Sequence, residues 1–182
     1  MIPFELIGDI SDIETIAIGG RIKDLERLRW ACRSRVDIKI IELYLDAPMM
    51  GALMAVCDCY VSLHRAEGLG LTMSQAMSLG KPVIATAYSG NMDFMDDQTA
   101  YLIPWTPVRV GADMGPYPSN ATWAEPDLAV AADTMRYVFK HPDQAIQMGK
   151  NAKSHLAERF SPQVTGKKMH QRLKYIWNQQ HA

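Results

Sequence analysis

The residues best suited to chemistry lie in one run, His64-Arg-Ala-Glu67-Gly-Leu-Gly-Leu-Thr72, followed shortly by Gln75. Strand formers at Cys59-Tyr-Val-Ser-Leu precede it, and an apolar helical segment, Leu71 to Leu79, begins at once. A strand that ends in a glycine turn and opens directly into a helix predicts that the backbone N–H groups of Gly68, Leu69, Gly70, Leu71 and Thr72 point, unpaired, from the carboxyl edge of a sheet. A helix N-terminus carries about half a positive charge, which suits a phosphate or diphosphate. The same dipole would attract Glu67 with no ligand present, so that carboxylate has both a structural and a ligand-facing reading. His64, at a strand end, is open to the same two readings.

Other phosphate loops fail against the letters. A dinucleotide fingerprint needs glycine where Met73 stands. A Walker loop ending at Gly80-Lys81 needs glycine at Gln75 and Ser or Thr at Pro82.

The elements that carry this run alternate. Helical spacing of Ile22, Leu25, Leu28 and Ala31 or Cys32 predicts a helix over residues 21 to 33, and Asp37 to Ile41 a strand. Short strands are also expected at Phe4 to Ile7 and Ile13 to Ile18. Pro48 suits a first helical turn leading through Met49 to Val56, Gly80 a left-handed cap, and Pro82-Val-Ile-Ala-Thr a strand buried on both faces. Strand, helix, strand, helix, strand argues for α/β: a Rossmann-like open parallel sheet flanked by helices. Five prolines and two glycines between Pro104 and Pro126 predict a long surface loop. Three helices follow, over roughly 126 to 140, 142 to 158 and 161 to 178, each opening near a proline: Pro126, Pro142 and Pro162.

The central segment resembles the donor-binding domain of the GT-B glycosyltransferases, specifically the large retaining family 4. That family carries a Glu-x7-Glu pattern ahead of a Leu-Gly-Lys-Pro-Val-Ile-Ala-like strand, and Glu67-Gly-Leu-Gly-Leu-Thr-Met-Ser-Gln75 occupies its place. Asp58-Cys-Tyr-Val-Ser-Leu-His, Tyr88-Ser-Gly-Asn91, Phe94-Met95, Tyr101-Leu-Ile-Pro, Gly115-Pro-Tyr-Pro and Trp123-Ala-Glu-Pro are similar to other parts of it, over roughly residues 20 to 175. The resemblance implies the carboxyl-terminal, donor half of a GT-B fold, binding a nucleotide diphosphate sugar and transferring the sugar to an acceptor. Glu67 would contact donor-sugar hydroxyls as the catalytic candidate, with His64 beside it. The amides of Gly68 to Thr72 would hold the diphosphate, residue 75 would grip the ribose, and Tyr44-Leu45 would lie against the base. Neither a cofactor nor a metal is expected, and no Asp-x-Asp pair exists to hold one.

Two departures leave a second reading open. Gln75 stands where the family has its second glutamate, which keeps an acceptor but loses the charge. The family's amino-terminal acceptor domain is expected to be absent, and no basic phosphate clamp precedes Arg21. A non-catalytic nucleotide-sugar-binding or interaction module derived from such an enzyme is therefore the alternative to an enzyme part completed by an acceptor domain or subunit. The last helix crosses to the amino-terminal domain in the family. Val164, Met169, Leu173, Ile176 and Trp177 fall near one stripe of it, so a homodimer through residues 161 to 178, or another partner, is expected.

Bulk properties agree with one domain over all 182 residues, 48% hydrophobic and 21% charged. With 19 basic and 20 acidic residues, and basic side chains concentrated only at Lys167, Lys168, Arg172 and Lys174, nucleic acid is not an expected partner. No stretch approaches the roughly 18 apolar residues of a membrane span and no leader is evident, so a cytoplasmic location is expected. Cys32, Cys57 and Cys59 are too few and wrongly spaced for a disulfide framework or a zinc knuckle, and read as buried thiols.

Overall fold

A computed structural model describes residues 15–18, 22–42, 45–112, 114 and 117–181. The element order is β1 (Thr15–Ile18), α1 (Ile22–Cys32), β2 (Ile38–Ile41), α2 (Ala47–Val56), β3 (Tyr60–Ser62), α3 (Leu71–Ser78), β4 (Val83–Thr86), β5 (Tyr101–Ile103), β6 (Trp105–Arg109), β7 (Thr122–Pro126), α4 (Leu128–Lys140), α5 (Pro142–Phe160) and α6 (Pro162–Gln180). Strands β1 and β2 pair in parallel, as do β3, β4 and β5, with β4 in the middle. The fold is a parallel sheet flanked by helices, as the alternation of elements predicts. The expected strand at Phe4 to Ile7 lies outside the described residues.

Helix ends follow local chemistry. Asp46 caps α2 by accepting from Met49 N at 2.9 Å, with Pro48 in the first turn. Helix α3 ends in a Schellman motif: Gly80 has φ +77°, its N–H donates to Met77 O at 2.9 Å, and Lys81 N–H donates to Ala76 O at 3.0 Å. Pro142 and Pro162 open α5 and α6, as their positions predict. Pro126 does not open α4. It is the last residue of β7, and Asp127 caps the helix instead, its carboxylate accepting from Ala129 N and Val130 N, both at 3.0 Å.

The proline-rich loop expected over 104 to 126 is in fact an antiparallel hairpin, β6 against β7. Its pairs Trp105↔Pro126, Pro107↔Ala124 and Arg109↔Thr122 alternate with Thr106↔Glu125 and Val108↔Trp123. Ala124 N–H points away from β6 and donates to Arg65 O at 2.9 Å, which makes Pro107↔Ala124 a pair that exchanges no hydrogen bonds. Pro126 is two residues on and falls in the same class, so neither proline's missing N–H costs the ladder a bond.

Strand β4 is buried along its whole length and serves two cores. Val83 and Ala85 pack on one face with Met73, Ala76 and Met77 of α3 and Ala152 of α5. Ile84 faces the other way, towards Ile103 of β5, Ala131 and Val138 of α4 and Ala145 of α5. Close approach of α5 to the turn after α3 depends on Gly149, where a Cβ would lie 2.0 Å from the carbonyl oxygen of Gly80. This double burial makes the carboxyl ends of β3 and β4 a rigid edge from which two loops emerge side by side.

Candidate functional site

The turn Leu63–Gly70 leaves β3, and the turn Ala87–Gly90 leaves β4. Because the two strands are parallel neighbours, the turns meet. The main-chain carbonyl of Glu67 accepts from Ser89 Oγ at 2.5 Å and from Gly90 N–H at 3.3 Å. Contact is close enough that a Cβ on Gly90 would lie 2.1 Å from Gly68 O. Ser89 itself sits at φ 78°, ψ −151°, a conformation that costs a non-glycine residue about 1–3 kcal/mol and that tends to occur at functional sites.

Within the first turn, the Glu67 side chain folds back onto the backbone: Oε1 accepts from Leu69 N–H at 3.3 Å and Gly70 N–H at 3.1 Å. Two of the five amides expected to be unpaired are therefore occupied by the very carboxylate expected beside them. A charge at a helix N-terminus is stabilised by the dipole and the free amides, and the chain satisfies that preference internally. Gly70 is the cap of α3, in the left-handed region at φ 91°, and supplies no side-chain cap. The first-turn N–H groups of Leu71 and Thr72 have no partner within an α-helix. Thr72 Oγ1 accepts from Tyr60 OH at 2.8 Å, tying the helix start to β3. Gln75 is exposed one turn along from Leu71, on the side of α3 opposite the buried Met73, Ala76 and Met77.

His64 is held from both ring nitrogens. Nε2 lies 2.9 Å from Tyr88 O and 3.1 Å from Asn91 Oδ1, both acceptors, so Nε2 carries a proton; Nδ1 lies 3.2 Å from Ser62 Oγ. A contact from His64 to a ligand would have to replace one of these bonds. Asn91 is fully buried and donates through Nδ2 to Thr86 O at 3.0 Å, which joins the histidine to the end of β4. Leu45, half-buried, immediately precedes the Asp46 cap of α2, and Tyr44 lies outside the described residues.

Sequence reasoning missed the supports of this edge. Arg65 forms an ion pair with Glu125 of β7, its guanidinium lies 5.1 Å from the Trp123 ring, and its carbonyl accepts from Ala124. Trp105 Nε1 donates to Ala87 O at 2.7 Å, and its ring meets Tyr88 edge-on at 4.6 Å. The hairpin thus braces both turns. No local spacing signals these contacts, since the partners of Arg65 lie about sixty residues away.

The cysteines are poor nucleophiles. Burial pushes the Cys59 thiol up to about 12 and raises Cys57, Lys81 only partly opposing the latter. Among the described residues no group of three or more His, Cys, Asp or Glu gathers to hold a metal, and no helix is long and apolar enough to cross a membrane.

The sheet edge thus sets the Glu67 carboxylate, an acceptor for hydroxyls, beside the N-terminus of α3, where the first-turn amides of Leu71 and Thr72 are the donors an anion could use. Residues 5–110, more than half of the chain, match the family model described as glycosyl transferases group 1. The chain belongs to that family. This glycosyl transferases group 1 chain is 28% identical over 127 residues to trehalose synthase from Thermococcus litoralis, covering 68% of this chain and 26% of that protein. It therefore spans about a quarter of the length of the curated relatives it matches. Among solved structures, HepE from Anabaena in complex with UDP and glucose matches with a TM-score of 0.71 at 17% identity, over 95% of this chain and 44% of that one. Sucrose-phosphate synthase from Thermosynechococcus elongatus matches with 0.70 at 17% identity, over 97% and 43%. The architecture is that of the carboxyl-terminal domain of GT-B glycosyltransferases.

Proposed function

We propose that this chain is the donor-binding half of a retaining family 4 glycosyltransferase, taking a nucleoside diphosphate sugar at the edge formed by residues 64 to 75 and passing the sugar to an acceptor held by a further domain or subunit. The observation that carries the reading is the Glu67 carboxylate, fixed on two loop amides through Oε1 at the mouth of α3. Held that way, its other oxygen is the one offered to sugar hydroxyls, while the first-turn amides of Leu71 and Thr72 and the dipole of α3 meet the charge on the departing diphosphate. Such preorganised donors stabilise a leaving group without a metal. Gln75, exposed one turn further along the same face, would reach the ribose, and the base would lie towards Tyr44 and Leu45. HepE was solved with UDP and glucose, which favours a uridine diphosphate hexose as the donor class. A cytoplasmic site of action suits such a donor.

Gln75 favours a second reading, a binding module that keeps the donor site but has lost part of its grip. Calorimetry with UDP, GDP and ADP tests the shared premise. Binding of one of them, reduced by Leu71→Pro at the first turn of α3, is the expected result; a folded protein that binds none at millimolar concentration would remove both readings.

A further inference from the structure

The hairpin of β6 and β7 adds little to either core: none of its described residues joins the clusters on the two faces of β4, and each strand packs chiefly on the other. Outside the hairpin itself, its hydrogen bonds, ion pair and ring contacts reach the two turns at the carboxyl edge of the sheet. Trp123 and Glu125, two residues apart on β7, face the same way, and Arg65 lies along both. Its Nη2 is 2.8 Å from Glu125 Oε1 and 2.5 Å from Oε2, and its guanidinium carbon is 5.1 Å from the Trp123 ring centre. The N–H of Ala124, between them in sequence, donates to the Arg65 carbonyl at 2.9 Å. From β6, Trp105 Nε1 donates to Ala87 O at 2.7 Å. These contacts close a ring. Arg65 leads in two residues to Glu67, whose carbonyl accepts from Ser89 and Gly90; Ala87 of that second turn returns to Trp105, and Trp105 pairs with Pro126 on the strand that holds Arg65. The Glu67 carboxylate is fixed on amides of its own turn, so its direction follows from the ring that holds the turn.

We infer that the hairpin sets the donor site's hold on the sugar, with Arg65, anchored on Glu125 and Trp123, as a positioning residue for Glu67. An ion pair whose side chains are 34% and 31% exposed contributes little to stability in water. What it supplies is direction, since a guanidinium seated between two carboxylate oxygens and against an indole is confined to one orientation. The start of α3 is held separately: Tyr60 OH donates to Thr72 Oγ1, and Met73 is fully buried. The hairpin therefore governs the grip on the sugar, at Glu67, more than the grip on the diphosphate, at Leu71 and Thr72. The inference rests on the donor-site reading and adds to it an element, the hairpin, that touches no part of the donor.

The test is calorimetry of the full chain with UDP and with UDP-glucose, on the wild type and two hairpin variants. Glu125→Gln breaks the ion pair on the hairpin side, and Trp105→Phe removes the indole donor while keeping a ring. Each should weaken UDP-glucose binding about tenfold, a scale on which residues without ligand contact couple to a site, and UDP binding by clearly less. One break already opens the ring, so the double variant should lose less than the product of the two single factors. Urea denaturation run beside the titrations separates folding from binding, because a variant that is merely less folded loses both ligands by the same factor. Equal loss of the two ligands, loss of neither, or single effects that simply multiply would each overturn the inference, while wild-type binding left the donor reading standing. A folded wild type that binds neither ligand would remove that reading and this inference together.

Discussion

The hydroxyl of Ser89 donates a 2.5 Å hydrogen bond to the main-chain carbonyl of Glu67, fastening the turn after β4 to the turn after β3. Ser89 adopts a strained backbone to do so, and Gly90 beside it donates to the same oxygen. The position of the Glu67 turn is thus set from the neighbouring strand as well as from its own. Removing the hydroxyl with Ser89→Ala would leave the strain and take away one of its compensations. A loss of about 1 kcal/mol in urea denaturation is expected, together with weaker UDP binding in calorimetry.

Gly90→Ala should be worse. The new Cβ meets the backbone at Gly68 O, 2.1 Å away, and backbone cannot rotate aside as a side chain can. A cost of about 1–3 kcal/mol is expected from overpacking, with displacement of the Glu67 turn and loss of nucleotide affinity. Retained UDP affinity at reduced stability would separate the turn from the site.

At Glu67 two substitutions divide structure from contact. Glu67→Gln keeps an acceptor for the Leu69 and Gly70 amides, so unfolding should shift by less than about 1 kcal/mol, while Glu67→Ala abandons both and should cost about 1–3 kcal/mol. If the carboxylate also faces the sugar, the Gln variant should lose affinity for UDP-glucose while keeping that for UDP. Equal affinities for both ligands, unchanged from wild type, would confine Glu67 to the turn.

Gln75→Glu should strengthen UDP binding about fivefold, because a carboxylate accepting from ribose hydroxyls makes bonds roughly twice as strong as an amide does. Isothermal titration of the two proteins side by side reads the difference. An unchanged or weaker affinity would turn position 75 away from the ribose.

Cys59 gives a pH dependence with a definite sign. Its thiol is held at about 12 in the folded chain by burial, against about 9 for an ordinary thiol. Above pH 9 the unfolded chain releases this proton and the folded chain keeps it, so stability falls by about 1.4 kcal/mol per pH unit until the folded thiol also ionises near 12. Urea midpoints at pH 8, 9 and 10 should decline accordingly, and Cys59→Ala should flatten the slope whatever it does to absolute stability.

Local chemistry in the sequence was enough to determine the alternation of strands and helices, the Asp46 and Gly80 ends of α2 and α3, the twofold burial of β4 and the likeness of the central segment to a donor-binding domain. Each of these depends on neighbours within a few residues: a periodicity, a cap, a positive φ that glycine accepts. Tertiary structure alone decided the rest. Prolines 107 and 126 read as loop formers until strand pairing put them opposite Ala124 and Trp105, where no N–H is required. Glu67 took the amides of Leu69 and Gly70, His64 was locked between Ser62 and Asn91, and Arg65 found Glu125, because parallel strands and a docked hairpin brought distant turns together. Val164 was equally illegible: spacing groups it with Met169, Leu173, Ile176 and Trp177, which are exposed, but packing where α6 leaves α5 makes it half-buried instead.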